Sequence, residues 1–288
     1  MNNNSANGSA PLVFSNAAFN ASPGSITASR TLALGGTNTD ANAISGVISD
    51  NNTVGGGLVS VTKAGSGRWI LSGANTYTGA TTVSAGSLIV NGNQSAATGA
   101  LTVSSGATLG GSGTIGGATT ISGIHSPGTS PGIQTFANGL SYSNGSTFVW
   151  ELNDNVNTGR GTAFDGVNVT GGTLTINTGV TNNLVFNGAA STTVWNDVFW
   201  GSNQTWLVYS NALAPTLASA NVFDTINVSL DSLGNNFSTS LAGSSFSWSQ
   251  TGNDLYLNYN TVPEPSTYAL LALAAAGLGA RVMRRRRH

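Results

Sequence analysis

LVSVTKAGSGRWILSGANTYTGATTVSAGSLIVNG, residues 58–92, sets short alternating runs such as Thr81-Thr82-Val83 and Leu88-Ile89-Val90 between Gly, Asn and Ser. The same grammar extends from Arg30 to about Ile176 and includes Leu101-Thr102-Val103, Thr119-Thr120-Ile121 and Leu174-Thr175-Ile176. Each run points one or two aliphatic side chains to one face and Thr or Ser to the other, the period-2 pattern of a strand. Runs this short bury too little to stand alone, so like must stack on like. Stacked short strands with glycine-rich corners predict a β-solenoid, whose rungs bury a continuous core only against one another. A β-sandwich competes, because turn signals every 8 to 12 residues suit it too, but its strands usually run five to six residues or more.

Composition points the same way. Charged residues make up 7% of the 288, against a usual quarter, while 39 glycines and a surplus of Ser, Thr and Asn fill the polar positions. That excludes a helical bundle, which is built from Ala, Leu, Glu, Lys and Arg. Disorder is disfavoured by the β-branched and aromatic content. Residues 1–262 hold four basic groups (Arg30, Lys63, Arg68, Arg160) against nine acidic ones, a net −5, and no basic stripe that would neutralise phosphates; nucleic acid is not an expected partner. The absence of cysteine removes disulfides, thiolate metal sites and cysteine nucleophiles.

The stretch of residues 31–92 resembles the autotransporter-associated β-strand repeat found in passenger domains. Lys63, Gly65, Gly67, Trp69, Leu71, Gly73, Asn75, Thr76, Tyr77, Gly79, Thr81, Val83, Gly86 and Leu88 stand where that repeat has them. The resemblance implies a right-handed β-helix used as a scaffold, with no enzymatic activity attached. On physical grounds Asn75 and Thr76 suit a corner, glycines 65, 67, 73, 79 and 86 suit left-handed turns, and Trp69 and Tyr77 suit core or corner packing. Beyond Val180 the repeat fades. Residues 194–209 gather Trp195, Trp200 and Trp206 with Phe199 and Tyr209. Two readings stand: a hydrophobic plug over the last rung, or a platform on which sugar rings stack. FSWSQTGNDLYLNY, residues 246–259, alternates on both sides of Gly252-Asn253 and reads as a closing hairpin.

The last 26 residues are a separate device. Five of the nine basic residues fall in the final eight positions, behind an apolar run from Tyr268 to Ala280. A helix of that run is about 20 Å long, short of the ~30 Å hydrocarbon core; extension over Thr267 to Met283, with Arg281 snorkelling, reaches about 25 Å. An ordinary docked terminal helix is the alternative. Pro263-Glu264-Pro265, the apolar segment and the Arg284, Arg285, Arg286, Arg287 cluster resemble, in that order, the PEP-CTERM sorting signal of Gram-negative bacteria. The resemblance implies that an exosortase, a membrane cysteine peptidase, cuts near Pro263, Glu264 and Pro265, with the arginines retained on the cytoplasmic side of the membrane. Such a chain needs an export signal, and MNNNSANGSAPLVFSNAAFN lacks both a basic n-region and an apolar h-region, so the expectation is a start downstream of one.

The organisation expected is therefore all-β. Residues 1–29 form a polar segment, 30–180 the solenoid, 181–260 terminal rungs with an aromatic-rich cap, and 261–288 the sorting signal with one short transmembrane helix. No catalytic, cofactor or metal residues are expected. Glu151, Asp154 and Asp165 form the one local carboxylate cluster, and turn or edge roles account for them better than glycosidase chemistry. His125, flanked by Ile124 and Ser126-Pro127, reads equally as a loop residue or a base and lacks triad spacing. GGSGTIGG, residues 110–117, lacks the Lys-Ser/Thr ending of a phosphate loop. Exopolysaccharide is the expected environment, with an adhesin or glycan-binding module, and less readily a polysaccharide-degrading enzyme, as alternatives.

Overall fold

The computed structural model describes residues 1–5, 11–15, 18–20, 28–50 and 57–262. Two walls of parallel strands run the length of the body, a third joins them from Asn93 onward, and a two-stranded sheet, Ala18–Asn20 with Val47–Ser49, lies in the first coils. Sheet 1 holds nine strands, including Arg30–Gly36, Val59–Lys63, Thr81–Val83, Leu101–Val103, Thr119–Ile121, Leu140–Tyr142 and Leu174–Ile176. Sheet 2 also holds nine, among them Arg68–Leu71, Ser87–Val90, Thr108–Gly111, Ile124–Pro127 and Thr147–Glu151. Sheet 3 holds seven, beginning Asn93–Gln94, Thr114–Ile115, Ile133–Phe136 and Gly166–Val169. From Asn93 the chain visits sheets 3, 1 and 2 in turn, and before that it alternates between sheets 1 and 2 from Val59 on, each time returning one strand further along. That path is a β-solenoid.

Register is set by what points inward. On sheet 1 Leu34, Lys63, Val83, Val103, Ile121, Tyr142 and Ile176 are successive pairing partners, and every one is 0% exposed. On sheet 2 Trp69, Leu88, Leu109, His125, Phe148 and Asn182 form the matching file. Burying each Val or Leu contributes about 1.5–3 kcal/mol, but only when the coils above and below are present. A one-residue slip would turn the whole file outward, which pins each strand to its neighbours.

Lys63 is the anomaly in that file. Its ammonium donates to the carbonyls of Ala64 (2.9 Å), Gly65 (2.8 Å) and Ala85 (2.9 Å), one acceptor for each N–H. Burial pushes it down to about 8, so it remains charged at neutral pH, tying one corner to the next coil. The corner glycines divide by cause. Gly65 and Gly86 adopt positive φ, 69° and 63°, as a left-handed turn requires. Gly67, Gly73 and Gly79 do not; there a Cβ would lie 2.5 Å from Asn38 O, 2.3 Å from Gly46 O and 2.3 Å from Val59 O. Close stacking of coils demands these three, which corrects the left-handed role expected for all five.

Strands from within residues 1–29 also join the body, Asn2–Asn3 and Val13–Phe14 pairing in parallel with Arg30–Gly36 and Asn42–Ile44. At the other end Gln204–Asn211 meets Asp254–Asn260, which pairs with Ser245–Thr251; both contacts are antiparallel and end the parallel run of sheet 3. The hairpin read at Gly252-Asn253 is present. Among the described residues no helix is long and apolar enough to cross a membrane; Thr267 to Met283 lies outside them.

Gly67→Ala is expected to lower stability by about 1–3 kcal/mol although φ there is not positive, because the new methyl meets a backbone oxygen. Lys63→Ala is expected to cost about 2–4 kcal/mol by leaving three corner carbonyls without their donor. Thermal melts followed by far-UV circular dichroism measure both.

Candidate functional site

The alternation that buries one file exposes another. On the outside of sheet 1, Thr62 pairs with Thr82, Thr82 with Thr102, Thr102 with Thr120, Thr120 with Ser141 and Ser141 with Thr175. Three central coils repeat one motif: Ala80–Ser84 is ATTVS, Ala100–Ser104 ALTVS and Ala118–Ser122 ATTIS. Backbone bonds hold them in step, with Leu101 N donating to Ala118 O at 2.9 Å and Ser122 N to Val103 O at 2.8 Å. The outcome is three parallel files, Ala, Thr and Ser, repeating at the strand spacing of about 4.8 Å. No acidic or basic residue occurs within 79–84, 99–104 or 117–122. This wall is hydroxyl-rich, regular and uncharged.

The aromatic end is built the opposite way. Trp195, Trp200 and Trp206 are at most 1% exposed. Trp195 packs edge-on against Phe186 (4.7 Å) and Trp200 (4.9 Å), and Trp200 against Tyr259 (5.0 Å). Their indole N–H groups donate to Asn235 O (3.0 Å), Asn155 Oδ1 (3.0 Å) and Val156 O (2.8 Å). Ring faces and polar edges are thus spent inside the terminal coils, which gives the plug its geometry and leaves no ring face open for a sugar. Tyr259 Oη, on the final strand, donates to Trp200 O at 2.9 Å and ties the hairpin to the cluster.

The remaining candidates fall into structural positions. Asp165 is 1% exposed, accepting from Gly132 N (2.9 Å) and Glu151 N (3.0 Å). Burial pushes its carboxyl well above the usual carboxylate range, partly offset by the Gly132 N–H, and the charge of Glu151 adds to the rise. Glu151 accepts from Ser130 Oγ (3.0 Å), and Asp154 from Asn155 N (2.8 Å) and Thr192 Oγ1 (3.1 Å). Among the described residues no group of three His, Cys, Asp or Glu is placed to hold a metal ion. His125 is neither a loop residue nor exposed: it is 0% exposed inside the solenoid. Arg160, which no sequence motif marks, donates to Val167 O (2.8 Å), Leu207 O (3.0 Å) and Val208 O (2.9 Å), bridging two strands of sheet 3. Gly166 makes room for it, since a Cβ there would sit 2.7 Å from its Nε. Pro263, Glu264, Pro265 and Arg284 to Arg287 lie outside the described residues.

The fold is a β-solenoid whose first sheet presents an uncharged hydroxyl wall. Residues 61–90 match the passenger-associated-transport-repeat family, and residues 261–287 match the PEP-CTERM protein-sorting motif. Over 73 residues the chain is 41% identical to the adhesin BmaC autotransporter of Brucella suis biovar 1 (strain 1330), covering 25% of this chain and 2% of that protein. The chain therefore carries a passenger-type repeat and a PEP-CTERM protein-sorting motif, and it spans only a small fraction of the length of the relative it matches.

Trp200→Ala is expected to lower stability by about 3–5 kcal/mol, the usual cost of emptying a buried tryptophan site. Denaturant unfolding followed by the fluorescence of the remaining tryptophans tests it.

Proposed function

We propose that this protein is a structural component of the cell envelope or extracellular matrix, a right-handed β-helical rod carried outward and then processed. The observation that carries this reading is the presence of the passenger-type repeat and the PEP-CTERM motif on one chain. In the pathway it implies, Thr267 to Met283 spans the inner membrane as a short helix. Arg284, Arg285, Arg286 and Arg287 hold the extreme C-terminus in the cytoplasm. The exosortase then acts near Pro263, Glu264 and Pro265, and residues upstream reach the outer surface or the medium. The rod has no enzymatic activity and takes no cofactor and no nucleic acid. Exopolysaccharide is its setting, and a chain with 7% charged residues, five of them in the basic tail, suits a hydrated neutral gel better than a polyelectrolyte.

Coexpression with an exosortase should shorten the exported chain and release it from the membrane, and replacing Pro263, Glu264 and Pro265 by alanine should abolish the shift. An unchanged mass and membrane association in the presence of an active exosortase would refute the sorting step.

An adhesin or glycan-binding module is the second reading, favoured by the uncharged hydroxyl wall and by the name of the Brucella relative. A single exposed hydroxyl gains little by exchanging water for a sugar, so affinity would arise from repetition along the wall. Replacing Thr82, Thr102 and Thr120 together by valine, which keeps the branched shape and strand preference and removes only the hydroxyls, should leave the melting temperature within a few degrees. If the wall is the contact, the same variant loses at least tenfold in retention on neutral polysaccharide; undiminished retention would dismiss it.

A further inference from the structure

One titratable group is sealed within the rod and plays no part in sorting or in the hydroxyl wall. His125 sits on sheet 2, and its imidazole reaches across the core to both other walls. Nε2 faces Gln134 Oε1 of sheet 3 at 2.9 Å, and Nδ1 contacts the hydroxyl of Tyr142 on sheet 1. Tyr142 in turn meets Tyr209 Oη at 2.9 Å. Phe136 and Phe148 close over the ring at 5.4 Å and 5.7 Å.

The protons in this junction have one consistent arrangement. Gln134 Nε2 donates to Gly110 O at 2.9 Å, so its Oε1 is the end that faces the imidazole and must accept. His125 Nε2 therefore carries the ring proton, and Nδ1 is left to accept from Tyr142. With the Tyr142 proton committed, Tyr209 donates to Tyr142. Every donor has one acceptor, and the ring is neutral. A second proton on Nδ1 breaks the chain, because Tyr142 must turn its hydroxyl toward Tyr209, whose own proton then has no acceptor among the described residues. The titratable groups facing the ring are Tyr142 and, through it, Tyr209; burial raises both. Thr108–Gly111, Ile133–Phe136 and Leu140–Tyr142 hold no carboxylate, and the one on Thr147–Glu151, Glu151, alternates to the outside and accepts from Ser130 Oγ, so none offsets an imidazolium charge.

We propose that this junction is an acid-opening joint: proton uptake by His125 parts the coils that meet at Gly110, Gln134 and Tyr142 while the terminal hairpin stays closed. Locality follows from the architecture, since each coil touches only its neighbours and opening need not spread. Burial pushes His125 down to about 4, opposed weakly by the Gln134 bond. The folded value thus lies below the ordinary one near 6.5. Between those two values the opened form binds the proton and the closed form does not, so stability of these coils is full above pH 6.5 and falls as pH drops toward 4.

The sequence supplies a clean readout, because it contains two histidines, His125 and the terminal His288. In the 288-residue chain the His125 ring resonance should remain neutral to below pH 5. Hydrogen-exchange protection of Thr108–Gly111, Ile124–Pro127 and Ile133–Phe136, corrected for intrinsic exchange, should fall about 100-fold between pH 7 and pH 4. Protection of Asp254–Asn260 should fall far less. His125→Leu should flatten the pH response of the central coils if it folds; the titration of the unsubstituted chain stands whether or not it does. A His125 resonance that titrates near 6.5 with protection intact, or central coils no more acid-sensitive than the hairpin, would overturn the proposal.

Discussion

The bond between one coil and the next is the constraint from which everything else in this molecule follows. Strands of three to five residues bury a residue or two each, and nothing within a single circuit compensates the entropy of ordering it. Stacking in parallel changes the balance, because Val83 gains Lys63 on one side and Val103 on the other, and Ile121 continues the line. Where the backbones come closest, a methyl group does not fit; this is why Gly67, Gly73 and Gly79 occupy corners whose torsions would admit other residues.

Part of this was legible beforehand. Period-2 runs such as Leu101-Thr102-Val103 disclosed strand, inward face and outward face, and the spacing of glycine corners disclosed stacking. The hairpin around Gly252-Asn253 was visible because alternation and a turn dipeptide are local signals. The long-range partners were not. His125 is polar and flanked by Ser126-Pro127, so the sequence offered a loop residue or a base and not a core position; its burial depends on Gln134 and Tyr142 arriving from two other walls. Arg160 is placed by Gly166 and by carbonyls at Leu207 and Val208, a contact no local pattern encodes. The first strands, within residues 1–29, were hidden because Asn and Ser outnumber aliphatics there, and what holds them is pairing with Arg30–Gly36 and Asn42–Ile44. For the aromatic cluster the sequence left plug and platform open, and burial of all three indoles accounts for them as packing.

The same architecture explains why the surface is so bland. A solenoid repeats its outer face as faithfully as its inner one, so any charge placed in an outward file would be repeated near the strand spacing and repel its copies. Thr, Ser and Ala avoid that cost, and the resulting wall meets water through hydroxyls alone. The few charges left in the body are placed singly, as with Lys63 in its ring of carbonyls and Arg160 across a strand gap. The sequence concentrates its basic residues instead at the C-terminus, within the matched sorting motif. A sparsely charged body of net −5 and a basic tail thus share one chain.

Distances along the Thr file test the stacking most directly, and the absence of cysteine lets paired spin labels be placed without background. Labels at Thr102 and Thr120 are one coil apart, as are labels at Ser141 and Thr175, although the chain between the second pair is nearly twice as long. Stacked coils predict the same separation for both pairs, with Thr62 to Thr175 lengthening in equal steps of about 4.8 Å per coil. Separations that follow the length of intervening chain, or that alternate between near and far as in two facing sheets, would contradict the account.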